Sequence, residues 1–134
     1  MSYMSKTLEF IKAANVFYVA TVEGNQPRVR PFGAISEYNG KLYICTNNQK
    51  EVFKQLEASP KLEICALSPD FKWLRLAATG IKETDIEAKK KMLQDNPSLN
   101  DMYKLDDGIF EVIRLDDMVA KVYSFTDPVV TLDD

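Results

Sequence analysis

The apolar positions change period several times along the chain, and each change marks an element. From Ser5 to Ala14, Leu8 and Ile11 stand three apart and Phe10 and Ala14 four apart, the spacing of one helix face, with Ser5 or Thr7 as cap. The pattern then turns to strand. Val16 to Val22 is rich in β-branched and aromatic residues and ends at the turn Glu23-Gly24-Asn25, which leads into Pro27–Phe32 as a hairpin partner. Asn39-Gly40 separates Ile35–Tyr38 from a strand over Lys41 to about Thr46, and both turn residues accept the positive φ that a tight hairpin demands. Val52, Phe53 and Leu56 predict a helix over Gln49–Ala58, opened by a capping-box pattern of Asn48 with Glu51 and stopped by Ser59-Pro60. Lys61–Ser68 and Phe71–Lys82 read as strands around Ser68-Pro69-Asp70. In the second, Leu74, Leu76 and Ala78 share one face, and Trp73, Arg75 and Ala77 the other. Thr84 and Glu87 open a helix through Leu93, Asn96-Pro97 caps a second short one, and Asp107-Gly108 ends it. Gly108–Leu115 and Met118–Phe125 read as a closing hairpin linked by Asp116-Asp117.

Short turns between most of these strands, with helices only as insertions, predict a mainly β fold: an antiparallel sheet closed or nearly closed into a barrel of about six strands. Such a barrel fills its interior with its own side chains, so a ligand must sit outside it, in a groove or at a subunit interface. The 134 residues, 46% hydrophobic and 28% charged with no repeat or low-complexity tract, suit one domain over 1–134.

The chain contains no histidine, which excludes Ser-His-Asp and Cys-His nucleophile pairs, an imidazole base and any His-containing zinc site. Cys45 and Cys65 lie in separate apolar runs, without metal-site or CxxC spacing, and read as reduced, buried thiols. The longest apolar run, Val16–Ala20, is too short to span a bilayer, and no secretory leader pattern is present, so no membrane partner and a cytoplasmic location are expected. The net charge of -3 is unevenly spread. Between Gln26 and Lys61 six bases (Arg28, Arg30, Lys41, Lys50, Lys54, Lys61) outnumber three acids, and beyond Asn100 nine acids outnumber three bases. That basic surface is too narrow for nucleic acid but suits a small anion.

The segment Cys45–Glu51 places a hydroxyl, two amides and an ammonium where a strand end turns into a helix N-terminus, whose unpaired N–H groups and dipole favour an anion. Arg28 and Arg30 share a strand face; if that strand pairs with Lys41–Thr46, an arginine reaches the same strand end. A phosphate monoester would match two or three such cations. The plainer alternative is a solvated cap with exposed strand arginines. Trp73 and Arg75, opposite Leu74 and Leu76, need a cover, either a partner subunit or an aromatic cofactor ring. Lys89-Lys90-Lys91 reads as a solvated helix face, and Asp106-Asp107 and Asp133-Asp134 as turn and tail.

The element order, with Phe17–Val22, Gln26-Pro27-Arg28-Val29-Arg30-Pro31-Phe32-Gly33, Leu42–Asn47, Lys50, Trp73–Leu76, Gly80, Ile109–Val112 and Tyr123–Phe125, resembles the FMN-binding split-barrel, or pyridoxamine 5'-phosphate oxidase-like, family, particularly its small NimA/NimC-type bacterial members. The resemblance implies a six-stranded antiparallel split β-barrel that binds FMN at a homodimer interface. It assigns Arg30, Thr46 and Lys50 to the FMN phosphate with Arg28 and Asn47 beside them, the backbone around Pro31 and Phe32 to the flavin ring, and Trp73 and Arg75 to the approach from the other subunit. The family's vitamin B6 oxidases use C-terminal Arg and His residues that this chain lacks, so that oxidation is not expected; nor is the histidine-linked activity of nitroimidazole-resistance proteins. The resulting expectation is an FMN-dependent, flavin reductase-like oxidoreductase, with a reduced nicotinamide, NAD(P)H, as donor and the flavin, not a protein side chain, as the reacting group. The alternatives are a non-catalytic module that carries or senses FMN or haem, and a dimeric scaffold without ligand.

Overall fold

In the computed structural model, which describes residues 5–132, the chain folds as α1 (Lys6–Ala14), β1 (Phe17–Glu23), β2 (Gln26–Phe32), β3 (Ile35–Tyr38), β4 (Lys41–Asn47), α2 (Glu51–Ala58), β5 (Lys61–Leu67), β6 (Trp73–Glu83), α3 (Ile86–Asp95), a 3₁₀ turn (Pro97–Asp101), β7 (Phe110–Tyr123) and β8 (Val130–Leu132). The local signals act as expected at most boundaries. Ser5 Oγ accepts from the Leu8 N–H at 3.0 Å, and Thr7, Leu8 and Ile11 turn inward. Asn39 and Gly40 take φ of 51° and 76° and set the β3–β4 hairpin. Asp133 and Asp134, expected as a tail, lie outside the described residues.

All strands pair antiparallel in the order β2-β1-β5-β6-β7-β4-β3, with β8 added to β7. The mainly β antiparallel class holds, with eight strands among the described residues rather than six. The expected closing hairpin over Gly108–Leu115 and Met118–Phe125 does not form: one continuous strand, β7 (Phe110–Tyr123), takes up most of both segments. Asp117 has φ 53°, and the register against β6 slips between Ala77 and Thr79, so the Asp116-Asp117 signal makes a bulge. Both sides of that bulge remain paired to β6, which is long enough to hold the bent strand along its whole length. The free edge of β7 is then divided, its first part pairing with β4 and its last with β8.

One core cluster fills the barrel, with Phe17, Val19, Ile44, Ile64, Leu74 and Leu76 at its centre and Leu8, Ile11, Phe53 and Leu56 closing it from α1 and α2. A second cluster lies on the other face of β4 and β7, where Tyr43, Cys45 and Val112 meet Met92, Leu93 and Leu99. Leu42 to Thr46 is therefore buried on both faces, which explains an apolar run without alternation. Cys65 departs from the expected burial: it points outward from β5 and is exposed, because its neighbours Ile64 and Ala66 take the core face. The lysine run departs too, since Lys89 turns in to within 3.7 Å of the buried Glu111 while Lys90 and Lys91 pair with Glu87 and Asp95.

Gly80 on β6 lies where these layers press closest. A Cβ there would stand 2.9 Å from Leu62 Cδ2, 3.0 Å from Ile113 Cγ2 and 3.5 Å from Leu56 Cδ2, so α2 packs on the strand through the missing side chain. Leu62 and Ile113 are themselves buried and have little room to retreat. Gly80→Val should lower stability by about 1–3 kcal/mol in urea unfolding. Gly33→Ala, where a Cβ meets nothing within 4 Å, should change it by less than about 0.5 kcal/mol.

Candidate functional site

A cleft of about 350 Å³ opens between the end of β2 and the end of β4. Arg30, Pro31 and Phe32 come from β2, Gly33 and Ala34 from the following link, Cys45 and Thr46 from β4, and Lys50 and Val52 from the start of α2. Ser98, Leu99, Met102 and Tyr103 form the opposite wall. None of the residues lining the cleft is acidic.

Arg30 reaches this cleft by a route other than the strand pairing considered from sequence. Strand β2 pairs with β1, and β4 pairs with β3 and β7, so Arg30 and Thr46 face each other across the split rather than along a ladder. The guanidinium donates through Nη1 to the Val19 carbonyl (3.1 Å) and Thr21 Oγ1 (2.7 Å), and through Nη2 to Gln55 Oε1 (2.7 Å). Thr21 in turn donates to Gln55 Oε1 at 2.6 Å. These three acceptors are neutral, and Nε–H and one Nη2–H remain available. Burial, and then the charge of Arg28, push the Arg30 guanidinium below its usual pKa, so an arriving anion relieves an unfavourable charge.

Thr21 and Gln55, which position Arg30, were not singled out from sequence. Gln55 carried a signal: a polar residue between Val52 and Leu56 on the apolar face of α2, buried to 6% exposure. A buried amide at such a position must have a partner, and its partners are Thr21 and the cleft residue Arg30.

Thr46 is 4% exposed, and its hydroxyl has no hydrogen-bond partner among the described residues. Lys50 makes no ion pair among those residues and is the N-cap residue of α2 without a side-chain cap. The predicted capping box does not form. Asn48 instead donates to the Gly108 carbonyl (2.9 Å) and Glu111 Oε2 (3.2 Å), drawn away by the β7 edge, and α2 begins at Glu51 rather than Gln49. The start of α2, whose Lys50 and Val52 line the cleft, has no side-chain cap, and its dipole adds positive potential there. Cys45, in the cleft wall, has its thiol pushed up to about 12 by burial, against the pull of Lys50; it stays neutral and serves as packing.

The remaining sequence candidates lie around the cleft. Arg28 projects outward and pairs with Glu23 at 2.9 Å. Asn47 accepts from the Gln49 N–H at 3.0 Å and donates to Tyr103 Oη at 2.9 Å, tying the two walls together. Trp73 and Arg75 lie on the outer face of the sheet. Trp73 stacks on Tyr123 at 6.0 Å and meets Phe125 at 5.1 Å, and Arg75 lies over Tyr123 at 5.3 Å while holding Glu63 at 2.9 Å. Phe125, Leu67, Val119 and Tyr18 leave large apolar surfaces exposed around them.

The unpartnered Thr46 hydroxyl makes an unusual prediction. In ligand-free protein Thr46→Val removes a buried oxygen that has no hydrogen bond, so its unfolding free energy should equal or exceed the wild-type value, by up to about 1–3 kcal/mol. A lower value would mean that the hydroxyl is already satisfied.

Comparison with known proteins places these features in a wider group. Residues 4–107 match the family model described as pyridoxamine 5'-phosphate oxidase. A NimC/NimA family protein from Clostridium acetobutylicum is 45% identical, with a TM-score of 0.92 over 96% of this chain and 90% of that one. Two more distant structures share the fold. One is a pyridoxamine 5'-phosphate oxidase-related, FMN binding protein from Nostoc punctiforme, 15% identical, with a TM-score of 0.59 over 95% and 93% of the two chains. The other is a heme binding protein from Mycobacterium smegmatis, 16% identical, with a TM-score of 0.71 over 98% of this chain and 58% of that one. No curated protein matches this sequence.

Proposed function

The chain belongs to the pyridoxamine 5'-phosphate oxidase family, and from that premise we propose that it is an FMN-binding oxidoreductase working as a homodimer. The observation that carries the reading is the cleft itself: two cations without carboxylate partners, a buried hydroxyl without a partner and an uncapped helix start, with no acidic residue in the lining. A phosphate monoester supplies the charge and the acceptor oxygens that this donor set lacks. Arg30, held in place by Thr21 and Gln55, and Lys50 neutralise it; Thr46 Oγ1 and the first N–H groups of α2 bond to its oxygens. The backbone around Pro31, Phe32 and Gly33 lines the way out of the cleft and suits the body of the cofactor. Bound FMN supplies hydride and electron transfer between a reduced nicotinamide and a small acceptor. That chemistry asks no histidine of the protein, and the chain has none.

The dimer reading rests on the outer sheet face. Tyr18, Leu67, Val119 and Phe125 are exposed apolar side chains near Trp73, interspersed with Glu63, Arg75 and Lys121, whose mixed signs suit a self-complementary contact. Through this contact the partner subunit's Trp73 and Arg75 would reach the cofactor. Gel filtration should give twice the chain mass, and Val119→Glu should shift it to monomer and weaken FMN binding; a monomeric wild-type protein would overturn the dimer.

Purified protein should be yellow or take up FMN, and FMN at about 100 times its Kd should add roughly 2.7 kcal/mol to unfolding stability. Arg30→Ala and Lys50→Ala should each weaken binding about 10- to 100-fold. No chromophore and no change in Tm on adding FMN would overturn the reading. Rapid mixing of the FMN-loaded protein with NADH or NADPH should bleach the flavin; a bound flavin that stays oxidised identifies a carrier or sensor instead.

A further inference from the structure

We propose that Tyr103 is a ligand-binding residue of the cleft, donating its phenolic hydrogen to an oxygen of the bound phosphate-bearing cofactor. The inference rests on the flavin reading above and extends it to a residue outside the Arg30, Thr46 and Lys50 set.

Asn47 fixes the direction of the hydrogen bond between the two walls. Its Oδ1 accepts the backbone N–H of Gln49 at 3.0 Å, and a backbone N–H can only donate, so the orientation of the amide is determined. Nδ2 must then be the atom that faces Tyr103, and at 2.9 Å it donates to the phenolic oxygen. Because Tyr103 Oη is the acceptor in that contact, its own hydrogen needs a second partner. No acceptor for it is found among the described residues. Tyr103 is 7% exposed and lines the cleft, so a buried O–H is held beside the space a ligand would fill. Burying a hydroxyl without its hydrogen bond is unfavourable, which is why buried phenols normally have an acceptor.

The residue is also held firmly enough to serve. Its N–H bonds to the Leu99 carbonyl at 2.9 Å, and its ring lies against Phe110 at 5.0 Å. Pro97 opens the preceding turn, and Asn96 anchors it to the Ile35 carbonyl at 3.1 Å. Two side chains in opposite walls, Thr46 and Tyr103, thus share one property: a buried hydroxyl whose hydrogen-bonding capacity the protein leaves open. The ligand best matched to both is rich in acceptor oxygens, as a phosphate ester of a polyol is.

The test is FMN titration of wild-type protein and Tyr103→Phe, followed by flavin fluorescence, with unfolding of both ligand-free proteins as a control. Phenylalanine keeps the ring packed on Phe110 and removes only the hydroxyl. The expected result is FMN binding weakened about 10-fold, with a cooperative ligand-free unfolding transition retained. If Tyr103→Phe is folded and binds FMN as tightly as wild type, the assignment of Tyr103 fails and the flavin reading stands. If the wild-type protein itself takes up no FMN, both fail. Should Tyr103→Phe not fold, Asn47→Asp supplies the second measurement: a carboxylate beside Tyr103 Oη accepts the phenolic hydrogen and withdraws it from the ligand. That variant should weaken FMN binding at least as much, and unchanged affinity in it overturns the assignment.

Discussion

The β6–β7 ladder is the contact on which the other parts are hung. It runs from Trp73 and Tyr123 at one end to Glu83 and Val112 at the other, and it survives a bulge at Asp117 because β6 continues past it. The bulge lets one strand serve two edges, β4 before it and β8 after it, so the sheet divides where a simple hairpin would have ended it. Gly80 lies on the same ladder, and its missing side chain allows α2 to approach through Leu56. Helix α2 carries Gln55 and follows directly on its N-cap residue, Lys50. The position of the cleft's positive end therefore follows from a backbone contact on the far side of the helix.

The charges of the chain fall into two kinds. Most cations away from the cleft are matched: Arg114 by Glu83 and Asp116, Lys91 by Asp95, Lys90 by Glu87. Arg114 is held above its usual pKa by hydrogen bonds to Asp116 and Glu83, a settled group. Arg30 is displaced the other way, by burial, with only neutral oxygens around it. An unmatched cation and two hydroxyls with open capacity reduce the stability of the empty protein, and a ligand that satisfies them recovers that loss on binding. This is the physical content of a binding site, and it separates Arg30 from Arg28, two positions away on the same strand and already paired with Glu23.

In the dimer proposed above, the outer sheet face of one subunit would cover the cleft of the other. The barrel is packed, so its ligand lies at the surface, and a surface cleft leaves a flat cofactor open to water on one side. The aromatic group of half-buried Trp73 and Tyr123 with exposed Phe125 on the same molecule is the kind of surface that would cover it in a twofold assembly. The similarity to the Clostridium acetobutylicum protein extends over 96% of this chain, so the two share the fold on which both surfaces lie.

Local chemistry by itself determined the elements whose signals are satisfied by near neighbours. Ser5 caps α1, Asn39-Gly40 turns β3 into β4, Pro97 opens its turn, and the alternation in β6 separates Leu74 and Leu76 from Trp73 and Arg75, because each depends on dihedral preference or period alone. Thr46 and Lys50 were legible as neighbours at a strand-to-helix turn because they are close in sequence, whereas Arg30 was expected there through a pairing of its strand with β4 that does not form; it lines the same cleft from β2, which pairs with β1. Tertiary structure decided what depended on competition between partners. Asn48 left the helix it could have capped for the Gly108 carbonyl and Glu111, Asp116-Asp117 became a bulge because β6 pairs on both sides of it, and Cys65 faced outward because Ile64 and Ala66 claimed the core. Gln55, Thr21 and Tyr103 came to the cleft and its neighbours only when segments far apart in sequence met, since a hydrogen bond across 34 or 56 residues has no period for a sequence to display.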